Sequence, residues 1–373
     1  MSTEVERAWA YLSRVAEPPC PELAALVDRV GPVAAADKVR RGDLDDDRLR
    51  QRTEARRESD CAQADLDVLA RMGGRLITAL DHEWPLLNFV AFGNVARPQG
   101  HSPLVLWAVG PVRLDEVAVR AAAIVGTRAA TAYGEHVAAD LAAGLVMRDV
   151  AVVSGGAFGI DGAAHRAALA GDGVTVAVVA GGIDLPYPAG HAGLLRRIAQ
   201  DGLMLSEYPP GCRPTRSRFL TRNRLVAALS GATVVVEAGA RSGAANTAGW
   251  AEALGRSVCA VPGPVTSAAS VGCHRLLREG ATLVSRSEEV IELVGRMGEL
   301  APVEQRPTSP LDALTDTERR VHDALPKRGA RTADEVAFGA GIPAYQVLGA
   351  LATLEVAGLV VHEGGRWRMS RRR

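Results

Sequence analysis

The chain has 373 residues, and its 43 lysines and arginines balance its 43 aspartates and glutamates, so the formal net charge is zero. Apolar residues at 47% and charged residues at 23% are ordinary for a soluble globular chain and exclude a wholly disordered, fibrous or generally basic protein. At about 150 residues per domain the length predicts two or three domains, and any nucleic-acid contact then requires a local basic patch.

The opening residues, Met1-Ser-Thr-Glu-Val-Glu-Arg7, lack the basic and apolar regions of a secretory signal, and no apolar run is long enough to span a bilayer. Five scattered cysteines without a Cys-x-x-Cys pair read as reduced thiols, which predicts a cytoplasmic protein without membrane insertion. Residues 1–72 carry apolar stripes at helical spacing: Trp9, Leu12 and Val15, then Leu23, Leu26, Val27 and Val30, stopped by Gly31-Pro32. They predict a small helical domain. Asp43-Leu-Asp-Asp-Asp47 followed by Arg48, Arg50 and Arg52 reads as a solvated turn and helix face. Gly73–Gly110, broken by Pro85, Pro98, Gly100 and Pro103, reads as a connector into the next domain.

From Ala121 short apolar runs alternate with helix-length segments: Ala122–Gly126, Val150–Ser154, Val174–Val179, Leu203–Ser206, Thr233–Val236 and Ser257–Ala260. This texture predicts βαβ units, hence an α/β, doubly wound Rossmann-like parallel sheet over 73–295, connector included. Residues 296–312 contain Pro302, Pro307 and Pro310 and read as a linker. Over 313–370, three short helices (Asp316–Leu325, Thr332–Ala340, Pro343–Ala357) and two β-like runs around Gly364-Gly365 form a winged-helix pattern. Its recognition helix, 345–357, carries no Arg or Lys, so a protein-contact or dimerisation role stands beside DNA reading.

Ligands in such sheets bind beyond the carboxyl ends of the strands, and four clusters fall there. In Ile124-Val-Gly-Thr-Arg128, Gly126 and Thr127 lead to an arginine that can fork onto a phosphate; the alternative is a tight turn with a solvated arginine. In Val153-Ser-Gly-Gly-Ala-Phe-Gly-Ile-Asp-Gly-Ala-Ala-His165, Ser154, Gly155, Gly156 and Gly159 make an amide-rich loop, but Phe158 breaks the dinucleotide fingerprint. Phe158 offers either a face for base stacking or a core side chain. Asp161 and His165, one helical turn apart, form an acid–base pair with Ser154 or, more blandly, a cap and a satisfied histidine.

The third cluster, Arg213-Pro-Thr-Arg-Ser-Arg-Phe-Leu-Thr-Arg-Asn-Arg224, holds five arginines in twelve residues and no acid. Arg218 and Arg222 share a helix face, and arginine contacts to phosphate dominate sequence-blind binding of nucleic acid. A salt-bridged helix is the alternative, with its counter-charges drawn from elsewhere. In the fourth cluster, Val235 to Ala248, Glu237 is either a general base or an orienting partner for Arg222 or Arg224, while Arg241, Ser242 and Gly243 suit a phosphate. Gly181–Pro188 and Val261–Pro264 read as structural turns. No metal-ligand spacing and no Walker A sequence occurs, so neither a metal site nor an ATPase is expected.

Together these loops resemble the DNA-processing protein A family (DprA, also called Smf). The resemblance lies in Val125–Arg128, Ser154–Asp161 with His165, Tyr187-Pro188, Leu205–Pro209, Phe219–Arg224 ending in Arg-Asn-Arg, Glu237–Ala248, Val261–Gly263 and Gly280-Ala281. It spans roughly 120–285 in order, and the helical region, SAM-like on this reading, and the winged helix resemble the family's extensions. Two departures are Leu220-Thr221 ahead of the Arg-Asn-Arg box and His274 in place of asparagine. The resemblance implies a non-enzymatic, cofactor-free, homodimeric protein that binds single-stranded DNA without sequence preference, protects it in natural transformation and loads RecA recombinase. Arg128, Phe158 and Arg222-Asn223-Arg224 would then line the DNA pocket. The competing expectation is a nucleotide-hydrolysing enzyme on the same scaffold, using Glu237.

Overall fold

A computed structural model describes residues 3–240, 242–295, 314–326 and 328–370, so the linker expected at 296–312 lies outside the described residues. These residues fall into two compact units, 3–295 and 314–370. In the first, one sheet takes in β1 (Gly74–Thr78), β2 (Val105–Val109), β3 (Ala121–Val125), β4 (Ala151–Ser154), β5 (Thr175–Val179), β6 (Leu203–Ser206), β7 (Ala232–Val235), β8 (Ser257–Ala260) and β9 (Thr282–Leu283). The strand order is β1-β2-β6-β5-β4-β3-β7-β8-β9.

From β6 to β9 every neighbouring pair is parallel, as the alternation of apolar runs and helices predicts. Successive strand residues feed opposite layers: Ala121, Ala123 and Val125 of β3 pack on one side, Ala122 and Ile124 on the other. The chain steps from β3 through β4 and β5 to β6, then returns to place β7 on the other flank of β3. That reversal opens a crevice at the carboxyl ends of β3, β4 and β7.

Two expectations need correction. Gly73–Gly110 is more than a connector, because β1 and β2 pair antiparallel and β2 joins β6 antiparallel, making the sheet mixed at that edge. Nor do residues 1–72 stand apart: Trp9, Leu12, Leu23 and Leu69 share one core with Val105, Trp107 and Val109 of β2 and Val179 of β5. Helices with an apolar stripe must bury it somewhere, and here they bury it on the sheet.

The second unit has helices Asp316–Asp323, Ala333–Ala340 and Ala344–Val356 and an antiparallel hairpin, β10 (Val360–Glu363) with β11 (Arg366–Met369). Thr315 and Thr332 each close a capping box with the glutamate three residues on. Val321, Val347, Leu351, Leu354 and Trp367 form its own core. Among the described residues, no single helix is long and apolar enough to cross a membrane.

Candidate nucleic-acid interface

The crevice has a volume of about 750 Å³ and is built from the loops that leave the parallel strands. β3 delivers Gly126, Thr127 and Arg128, β4 delivers Gly155, and Ser242 and Gly243 stand at the start of the helix that follows β7. One wall is the Arg216–Ala228 helix, capped by Thr215 and presenting Arg216, Phe219, Arg222 and Asn223.

Arg128 is exposed and lies with its guanidinium 5.0 Å from the centroid of Phe219. Arg222 approaches the same ring at 5.9 Å, and Tyr187 packs on it at 5.5 Å. A planar cation beside an aromatic face is held without losing its hydrogen-bonding edge. Arg128 and the exposed Arg216 make no ion pair among the described residues, which leaves both charges for an anion.

Arg222 sits deeper. It donates to the carbonyls of Gly155, at 2.8 Å, and Val178. Burial lowers its pKa to about 10, against the pull of Asp161. Gly155 is required by this packing, since a Cβ there would lie 2.3 Å from the Arg222 Nη1. Gly159, at a φ of +71°, admits the close approach of the Thr127 carbonyl, 2.4 Å from where its Cβ would be.

Several expected roles are overturned by geometry. The Gly155 and Ala157 amides do not wait for phosphate: they donate to Asp161, at 3.1 and 3.3 Å. Ser154 Oγ donates to the Ile124 carbonyl at 2.6 Å and is fully buried, so it is no nucleophile. His165 faces Thr175, not Asp161. Thr175 Oγ1 donates to the Val152 carbonyl, which puts the proton on His165 Nδ1, 2.8 Å away. Glu237 holds neither arginine; its carboxylate accepts from Thr131 N at 2.9 Å and Thr131 Oγ1 at 2.6 Å, pinning the loop after β3.

The arginine cluster divides. Arg224 is 0% exposed, and its Nη2 donates to both oxygens of Glu207, at 2.5 and 2.7 Å. Arg218 forks onto Glu17 at 2.6 and 2.9 Å. Neither lines the crevice: Arg224 takes its counter-charge from the end of β6, and Arg218 from Glu17 near the start of the chain. Gly156, Gly159 and Phe158 also lie outside the crevice lining; Phe158 is 45% exposed and packs edge-on against His191 at 4.6 Å. Asn223 donates to Asn246 at 3.1 Å, tying the two crevice helices together. Arg241 lies outside the described residues.

Sequence reasoning set aside Tyr187 as part of a structural turn and passed over Phe219 as a contact. Tyr187 follows β5 and was reachable by the same strand-end rule. Among the described residues, no group of histidine, cysteine, aspartate and glutamate side chains can hold a metal ion.

The chain is thus an α/β protein of Rossmann-like topology whose strand-end crevice is walled by arginine and aromatic side chains, with a winged-helix unit following. The profile of the family described as DNA recombination-mediator protein A matches residues 75–295, and that of the DprA winged helix domain matches 305–366. The chain belongs to this DprA family. It is 69% identical to a putative DNA processing protein DprA of Mycobacterium tuberculosis over 98% of this chain and 94% of that protein. With the DprA of Streptococcus pneumoniae it shares 40% identity over 51% of this chain and 66% of the other. A solved S. pneumoniae DprA superposes with a TM-score of 0.63 at 30% identity, over 79% of this chain and 99% of that one. Helicobacter pylori DNA processing protein A, whose structure concerns its single-stranded DNA binding mode, superposes at 0.50 with 29% identity, over 59% of this chain and 94% of the other.

Proposed function

We propose that this chain binds single-stranded DNA without sequence preference, in the crevice at the carboxyl ends of β3, β4 and β7. The observation that carries this is the Arg128–Phe219–Tyr187 arrangement: a guanidinium without an ion pair among the described residues, held over the Phe219 ring, next to the exposed ring of Tyr187 on which any base can stack. Arg216 adds a second free cation at the rim, and Arg222 a fixed positive charge on the floor. Binding without turnover fits the carboxylates: Asp161 lines the crevice but accepts from the Gly155 and Ala157 amides, and Glu237, outside that lining, is taken up by Thr131.

Extending the family resemblance, we further propose that the protein acts in the cytoplasm as a homodimer formed through the Rossmann-like unit, protects single strands in natural transformation and recombination, and loads RecA recombinase onto them. A fluorescence-anisotropy titration of labelled oligo(dT) across a salt series tests the binding. Arg128→Ala and Arg216→Ala should each weaken binding and make the log–log salt dependence shallower by about 0.7. Unchanged affinity and slope in both variants would refute the crevice. Release of free base from nucleoside monophosphates, lost in Glu237→Gln, would replace this reading with the enzymatic one.

A further inference from the structure

We propose that a second cleft, between the carboxyl end of the Glu4–Val15 helix and the segment Tyr208–Arg218, is a phosphate subsite through which the N-terminal helices help hold the same DNA strand. This rests on the crevice reading above. The cleft measures about 230 Å³ and is lined by Arg14, Arg56, Arg213 and Arg218, with Glu17 as the carboxylate among its described lining residues.

The charges there do not balance. Arg14 is matched by Asp65, which accepts from its Nε and Nη2 at 2.6 Å each. Glu17 serves two guanidiniums at once, Arg218 at 2.6 and 2.9 Å and Arg56 at 3.2 Å. One carboxylate cannot neutralise both. Arg213 is exposed and makes no ion pair among the described residues. The surplus is therefore positive, and part of it is rigid: Arg218 lies 4.6 Å over the ring of Tyr208 while Glu17 grips its fork.

Position turns the surplus into a path. Cys212, Arg213 and Arg218 face this cleft, whereas Pro214, Thr215 and Arg216, in the same stretch of chain, face the crevice. The two depressions share one wall. A strand passing Arg216 at the crevice rim crosses that wall and meets Arg213 and then Arg56 within a few phosphates. Because single-strand binding gains with each phosphate neutralised, a cationic groove next to the first site extends the footprint.

The test uses the full chain, the double variant Arg56→Ala/Arg213→Ala, and two oligo(dT) probes, one only long enough for the crevice and one several times longer. Both side chains are exposed. We expect the short probe to bind as to the unmodified chain. The longer probe should bind more weakly, its log–log salt slope shallower by about 1.4, at about 0.7 for each phosphate no longer neutralised. Arg56→Lys/Arg213→Lys should restore the slope. An unchanged slope with the long probe, an equal loss with both probes, or no recovery with lysine would overturn the subsite. If the unmodified chain binds neither probe, or Arg128→Ala is silent with the short one, the crevice reading itself fails.

Discussion

The guanidinium of Arg128, on the loop after β3, rests over the ring of Phe219, on the helix after β6, at 5.0 Å from its centroid. Two segments about ninety residues apart thereby hold the charge beside the exposed ring of Tyr187, which packs on Phe219, and charge next to a stacking face is the combination a flexible polyanion with exposed bases requires. Tyr187→Ala should cost about 1–3 kcal/mol of oligo(dT) affinity while leaving the salt slope near that of the unmodified chain. Anisotropy at several salt concentrations separates this outcome from the charge loss of Arg128→Ala.

Arg224 and Glu207 form a pair sealed from solvent, joining the Arg216–Ala228 helix to the end of β6. Removing one partner of such a pair leaves an uncompensated charge, so Glu207→Gln should destabilise the fold by about 3–5 kcal/mol. Urea unfolding measures this. Any loss of DNA binding in Arg224→Ala should accordingly track loss of folded protein.

Burial, with the positive neighbourhood of His191, Arg222 and Arg166, lowers the pKa of His165 to about 3. The folded chain keeps this ring neutral while the unfolded chain protonates it below its ordinary value of 6.5. The folded pKa is depressed, so stability is full above 6.5 and falls as pH drops toward 3, by about 1.4 kcal/mol per pH unit from this site. His165→Gln should flatten that part of a stability-versus-pH curve measured by urea unfolding.

Gly155→Ala puts a methyl group 2.3 Å from the Arg222 Nη1, forcing the guanidinium off the Gly155 carbonyl. Losing a buried hydrogen bond to a charged group should lower unfolding free energy by about 1.5–3 kcal/mol. Oligo(dT) affinity should fall as well, because the displaced group fills the crevice floor. Paired unfolding and binding measurements check both.

The parallel core of the sheet and the loops that surround the crevice are legible in the order of residues alone. Six apolar runs mark β3 to β8 to within one residue at either end, because a strand buried on both faces needs an unbroken apolar run, and that is a local property. The glycine turns after β3, β4 and β7 were legible for the same reason. The edge strands β1 and β2 were not: 26 residues rich in prolines and short turns separate them, and their pairing is a long-range choice. The acid-free arginine segment was equally legible as a patch, but not the task of each arginine. Arg222 and Arg224 are two residues apart on one helix, so their side chains leave it in nearly opposite directions. One meets the crevice floor and the other meets Glu207, while Arg218 meets Glu17, about two hundred residues earlier in the chain. Counter-charges come from wherever the chain folds back, so which cations stay free depends on the packing of remote segments.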